Sequence, residues 1–194
     1  MKKTLFAATV ALATASFAGA QDSGTDVLIV YFSRADENYS VGTITEGNTK
    51  IIAGMIADAT GADTFEIVPK QKYPANYKAC CDVAQKELRQ NARPEIAETK
   101  DIGSYRTIFV GYPNWWGDMP MCIYTFIESQ DWSGKTVIPF CTHEGSGLGA
   151  TPGNLKKATG ANVKDGLAVR GTEAQKRSSS AKNAVASFLK KNGF

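Results

Sequence analysis

The sequence predicts an α/β protein, a parallel sheet of about five strands with helices on both of its faces. Two observations carry this. Several short runs are rich in β-branched and aromatic residues with no polar alternation, notably Val27 to Phe32, Thr107 to Tyr112 and Thr136 to Thr142, the pattern of strands buried on both faces. Between them lie segments with helical spacing, so strand and helix alternate along the chain. Such alternation gives a parallel sheet, because a parallel crossover is right-handed and needs a helix.

Each element has its own signal. After the first strand, Ile51, Met55 and Ala59 recur at helical spacing, as do Ile52 and Ile56, and Gly61 can end that helix. Asp63 to Val68 alternates and reads as a strand near an edge. Asn76 is a cap candidate for a helix running to Gln90. The strand from Thr107 is followed by a helix from Met121 to Gln130, begun near Pro120. The strand from Thr136 leads to a short helix with Thr151 as cap and Pro152 in its first turn. Gly166 to Gly171 is a fourth core strand, and a final amphipathic helix turns Ala181, Val185 and Phe188 inward.

Residues 1–20 read as a bacterial secretory signal peptide: Lys2 and Lys3, an alanine-rich apolar run from Leu5 to Phe17, and a small-residue cleavage site after Ala20. The run is shorter than the roughly 20 residues a bilayer span needs. The expected location is the periplasm or outside the cell, and residues 21–194 form one domain. Without Lys2 and Lys3, 20 basic residues face 19 acidic ones, which gives no case for nucleic acid. The charge is uneven: residues 145–194 carry nine Lys/Arg against two acids, a solvated basic face or a docking surface for an acidic partner. Cys80, Cys81, Cys122 and Cys141 show no zinc spacing and no C-x-x-C. They are expected as buried free thiols, although an oxidising compartment permits disulfides.

In open parallel sheets ligands bind beyond the carboxyl ends of the strands, which marks three segments. Ser33 to Lys50 runs from a strand end to a helix start through Gly47, Asn48 and Thr49, an anion site by its free amides and helix dipole. Gly111 to Pro120 carries two adjacent tryptophans, Trp115 and Trp116, between turn formers. Cys141 to Gly153 holds four glycines and His143, the only histidine. A ligand with a phosphate at one end and a flat ring at the other fits all three. No G-x-G-x-x-G follows the first strand and no G-x-S-x-G occurs, which disfavours a dinucleotide site and a hydrolase elbow.

The stretches VLIVYFSR, GNTK, YPNWWGDMP and IPFCTHEGSGLG resemble, in order and across nearly the whole chain past residue 20, the flavodoxin family, in particular a secreted flavodoxin-like group. The resemblance implies a five-stranded, doubly wound sheet in the order 2-1-3-4-5 and a non-covalent FMN. By match, Ser33, Arg34, Gly47, Asn48 and Thr49 would meet the phosphate. Pro113, Asn114, Trp115, Trp116 and Gly117 would meet the isoalloxazine ring, with Trp116 the expected stacking partner. Thr142, His143, Glu144, Gly145 and Ser146 would line the other side, His143 tuning the flavin or relaying a proton. The chain departs from the family's compact T-x-T-G-N-T: residues 35–46 intervene, which puts Arg34 in doubt as a phosphate ligand and makes the insertion a candidate lid. It also lacks the strong acidity of shuttle flavodoxins. The implied role is electron transfer, with a redox protein or a membrane donor as partner, since the periplasm supplies no NAD(P)H. The alternatives are an FMN-dependent quinone or small-molecule reductase, and a binding module without FMN.

Overall fold

A computed structural model describes residues 26–194; the signal-peptide reading of residues 1–20 lies outside the described residues. The elements run β1 (Val27–Tyr31), β2 (Asp36–Asn38), β3 (Gly42–Ile44), α1 (Asn48–Thr60), β4 (Asp63–Glu66), α2 (Tyr77–Gln90), β5 (Thr107–Pro113), α3 (Met121–Glu128), β6 (Thr136–His143), α4 (Thr151–Thr159), β7 (Asn162–Val163), β8 (Leu167–Arg170), α5 (Gly171–Gln175) and α6 (Ser179–Lys191).

The main sheet is parallel, in the order β4-β1-β5-β6, with β7 and β8 both beside β6. The expected 2-1-3-4-5 order holds, with its fifth place divided. The two-residue β7 pairs with Thr136 and Val137, whereas β8 pairs with Phe140 to His143 at the carboxyl end. Six strands therefore occupy five positions.

Burial on both faces explains the unbroken apolar runs. Leu28 and Val30 join Ile108, Val110, Ile123, Phe126 and Leu155 in one core, under α2, α3 and α4. Ile29 and Tyr31 join Phe109, Phe140, Ile52, Ile56 and Phe188 in the other, under α1 and α6. Each fully buried side chain of this size contributes about 1.5–3 kcal/mol. Ala181, Val185 and Phe188 do point inward.

Most expected helix ends are in place. Gly61 closes α1 in the left-handed region, and Asn76 caps α2 by accepting from Ala79 N. Thr151 is a correction: it is the first residue of α4, fully buried, and its hydroxyl donates to Asp118 Oδ1 at 3.2 Å instead of capping the helix. The inserted residues form an antiparallel hairpin, β2 with β3. Among the described residues all four cysteines are free thiols, and no helix is long and apolar enough to cross a membrane.

Candidate functional site

The carboxyl ends of β1, β5 and β6 open into a cleft of about 380 Å³, within the usual range for small-molecule sites. Its first corner is the start of α1. The N-cap residue of this helix, Gly47, has no side chain to cap it, and its first turn holds no acid. Ser33 Oγ accepts from Lys50 N at 3.0 Å, and the Gly47 carbonyl accepts from Ile51 N. The amides of Asn48 and Thr49 remain, at the positive end of a 13-residue helix. Gly47 is required there: a Cβ would overlap Ser33 Oγ and lie 2.6 Å from the Arg34 carbonyl. The Thr49 hydroxyl is buried and lies 2.8 Å from that of Thr142, tying this corner to β6.

The second corner is the turn after β5. Trp115 and Asp118 exchange both backbone hydrogen bonds, and Trp116 and Gly117 between them have φ of 57° and 86°. Two positive φ values in a two-residue turn are the pattern of type I′. The adjacent tryptophans part company here. Trp115 packs edge-on against Phe32 and Tyr73, with ring centroids 5.4 and 4.9 Å away. Trp116 stays 55% exposed, and its indole N–H donates to the Cys81 carbonyl at 3.2 Å. The buried Asp118 carboxylate anchors the turn by accepting from Met119 N, Tyr124 OH, Thr151 Oγ1 and Asn154 Nδ2.

The third corner is the glycine-rich loop after β6. Asn114 clamps it to the tryptophan turn, donating to Gly147 O at 2.8 Å and accepting from Gly117 N at 3.0 Å. Cys141 Sγ also donates to Gly147 O. His143 Nδ1 accepts from Gly145 N at 2.8 Å, so any proton of the neutral ring sits on Nε2. Burial, then the Arg170 guanidinium, holds this imidazole below its usual range, with Glu144 opposing. The Glu144 carboxylate accepts from Thr172 N and Oγ1. Gly171 lets α5 approach this corner, because a Cβ there would overlap the Asn48 amide.

Eleven of the expected site residues line the cleft: Arg34, Asn48, Pro113 to Trp116, and Thr142 to Ser146. Ser33, Gly47, Thr49 and Gly117 lie behind it and shape the backbone of its corners. Arg34 faces the cleft, but its guanidinium is engaged elsewhere. It donates to the carbonyls of Glu37, Pro74 and Ala75 at 2.6, 2.6 and 2.7 Å, pinning the insertion to the chain before α2. Its Nε is buried without a partner. The insertion thus forms a tethered wall.

Six lining residues carry no sequence signal for a site: Asn38, Tyr39, Tyr77, Cys80, Cys81 and Ala84. They come from the hairpin and from α2, whose approach depends on side-chain contacts across about forty residues of sequence, such as Arg34 to Ala75. Among the described residues no cluster of His, Cys, Asp and Glu is arranged to hold a metal.

The family model for flavodoxin matches residues 27–185. A candidate flavoprotein from Bacteroides eggerthii, known as a crystal structure, is 31% identical, with 84% of this chain and 95% of that one covered and a TM-score of 0.65. A second, from Bacteroides uniformis, is 28% identical over 84% and 99% of the two chains, with a TM-score of 0.66. A flavoprotein from Lactobacillus acidophilus in complex with FMN is 26% identical over 77% and 96%, with a TM-score of 0.57. No curated protein matches the chain.

Proposed function

We infer that the protein is an FMN-binding electron carrier, and the premise is plain: the chain belongs to the flavodoxin family. The single observation that carries the inference is the pairing of two features in one cleft. The start of α1, where Ser33 takes only the Lys50 amide, leaves the Asn48 and Thr49 amides for an anion. Beyond it, the tryptophan turn and the glycine-rich loop, clamped together by Asn114, line the same cleft and would meet a flat ring. The FMN complex of the Lactobacillus acidophilus relative supports the choice of ligand.

When bound, FMN would supply one- and two-electron redox chemistry; the chain supplies holding and tuning. Neutral donors at the α1 terminus would take the phosphate, as helix termini do. The Trp116 indole would offer a stacking face worth about 0.5–1.5 kcal/mol beyond the area it buries. His143, neutral and fixed through Nδ1, leaves Nε2–H as a donor at the cleft wall. The uncharged ring adds no cation there to stabilise a reduced, anionic flavin.

The composition of residues 1–20 supports secretion, hence a membrane-bound or protein electron donor in place of a soluble nicotinamide. Titration of the purified protein with FMN tests the reading. Saturable quenching of flavin fluorescence at one flavin per chain is expected, lost in Gly47→Ala. A protein that neither carries nor takes up flavin overturns the reading and leaves a flavodoxin-like binding module. Rapid oxidation of NADPH by the loaded protein would favour a reductase over a carrier.

A further inference from the structure

Away from the cleft, at the amino end of the strands, three segments meet at the edge of the sheet where β7 lies. They are the last turn of α4, the turn between β7 and β8, and the last turn of α6. β7 pairs with Thr136 and Val137 at the start of β6, and Lys164 N donates to the Val137 carbonyl. Lys191 Nζ reaches Asp165 at 2.8 Å, which ties the end of α6 to the same turn. α4 covers one face of the sheet and α6 the other, so the segments wrap this edge from face to face.

Residues 156–165 and 190–194 hold five lysines, Lys156, Lys157, Lys164, Lys190 and Lys191, against a single acid, Asp165. All five are exposed, and all but Lys191 pair with no acid among the described residues. Two further acids of this end, Asp26 and Asp131, are offset by Arg106 and by the buried Lys135. Helix dipoles favour cations in a last turn, which accounts for the pairs on α4 and α6. They do not account for Lys164, which follows a strand, nor for Phe194. This ring is 43% exposed and packs on Phe109 with centroids 5.3 Å apart. The Phe194 amide donates to the Leu189 carbonyl, which folds it back against the last turn of α6.

The chemistry narrows the occupant. Arginine's planar fork recognises carboxylates in pairs, and these segments contain no arginine. Lysines are point charges on flexible stems, suited to a field without fixed geometry. They wrap a convex edge instead of lining a cleft, and one exposed ring stands among them. Basic side chains with an adjoining phenylalanine suit the headgroup region of a bilayer. β1 also begins at this end, so residues 1–25 attach here. On the secretory reading of residues 1–20, this is the end by which the chain leaves the membrane.

We propose that Lys156, Lys157, Lys164, Lys190, Lys191 and Phe194 form a docking surface for an anionic lipid bilayer. The cleft lies at the opposite, carboxyl ends of the strands, so a docked molecule keeps it open to the aqueous side. The proposal is independent of what the cleft binds.

Co-sedimentation of residues 21–194 with lipid vesicles tests this; that stretch holds every element of the fold and lacks the apolar leader. It should bind vesicles of equimolar phosphatidylglycerol and phosphatidylcholine, ignore pure phosphatidylcholine, and be released by about 0.5 M salt. Lys156→Gln/Lys157→Gln/Lys190→Gln should weaken binding about a hundredfold, at about fivefold for each lysine. Lys70→Gln/Lys72→Gln/Lys86→Gln removes as many charges from outside the patch and should leave binding nearly unchanged. Phe194→Ala should weaken it by a smaller factor than the lysine triple. Should that triple fail to fold, Lys164→Gln/Lys190→Gln carries the test, with an expected loss of about 25-fold. No binding to the anionic vesicles, equal binding to pure phosphatidylcholine, or equal loss in the two triple variants would each overturn the proposal. So would tighter binding to polyglutamate than to the vesicles, which would make this a surface for an acidic protein. Failure to take up FMN would sink the flavin reading alone.

Discussion

The cleft has two walls of different origin. The inner wall is made by the loops after β5 and β6 and the start of α1, where the fold itself places chain ends. It is held by one buried carboxylate, Asp118, and by the Asn114 bridge between loops. The outer wall is an insertion fastened to α2 by an arginine on carbonyls and a glutamate on amides. The first follows from topology; the second from a few long side-chain contacts. A family can therefore keep the inner wall while exchanging the outer one, separating what the site holds from what reaches it.

Four measurements would break or sharpen that contrast. Asp118→Ala strips four donors of their acceptor. It should lower stability by about 3 kcal/mol, since unsatisfied buried donors cost about 1–3 kcal/mol each before relaxation. Urea midpoints would show this, together with loss of flavin binding. Arg34→Ala should cost about 2 kcal/mol and release amide-exchange protection in residues 36–44 while leaving α3 and α4 protected. Arg34→Lys should not restore it, because one ammonium cannot reproduce the planar fork. If Arg34→Ala also melts the inner wall, the two walls are one unit.

Trp116→Gly relieves the positive φ, so stability should rise or hold to within about 1 kcal/mol. Flavin affinity should nonetheless fall by up to about tenfold, separating strain from stacking. The smallest effect concerns His143. Its folded pKa lies below the ordinary 6.5, so between the two values the unfolded chain binds the extra proton and stability rises with pH. The contribution is intact above the ordinary imidazole value and declines as pH falls below it. His143→Gln should flatten that slope in urea midpoints taken across the window.

The sequence makes the inner wall and the sheet legible, for a physical reason. Strands buried on both faces must be apolar throughout, so Val27 to Tyr31 and Thr107 to Tyr112 announce themselves, and the strand-end rule then points to Trp116 and His143. Thr151 misled because a threonine before a proline looks like a cap, while its true partner, Asp118, lies 33 residues away. The insertion that puts Arg34 in doubt as a phosphate ligand is legible in the sequence, but not that its side chain turns to carbonyls 40 and 41 positions on. The exposed rings of Tyr39 and Tyr77 were invisible because exposure is no property of a residue type, and their pairing is set by Glu37 across the insertion. The divided fifth strand left no trace because β7 is only two residues long.

The thiols have a consequence for the protein's chemical ageing. Burial pushes Cys80 up to about 11, and Cys122 and Cys141 up to about 12. Attack on disulfides and peroxides runs through the thiolate, so at neutral pH these sulfurs are nearly inert. Cys80 at the cleft and Cys141, bonded to the Gly147 carbonyl, are therefore poor targets for oxidation at neutral pH.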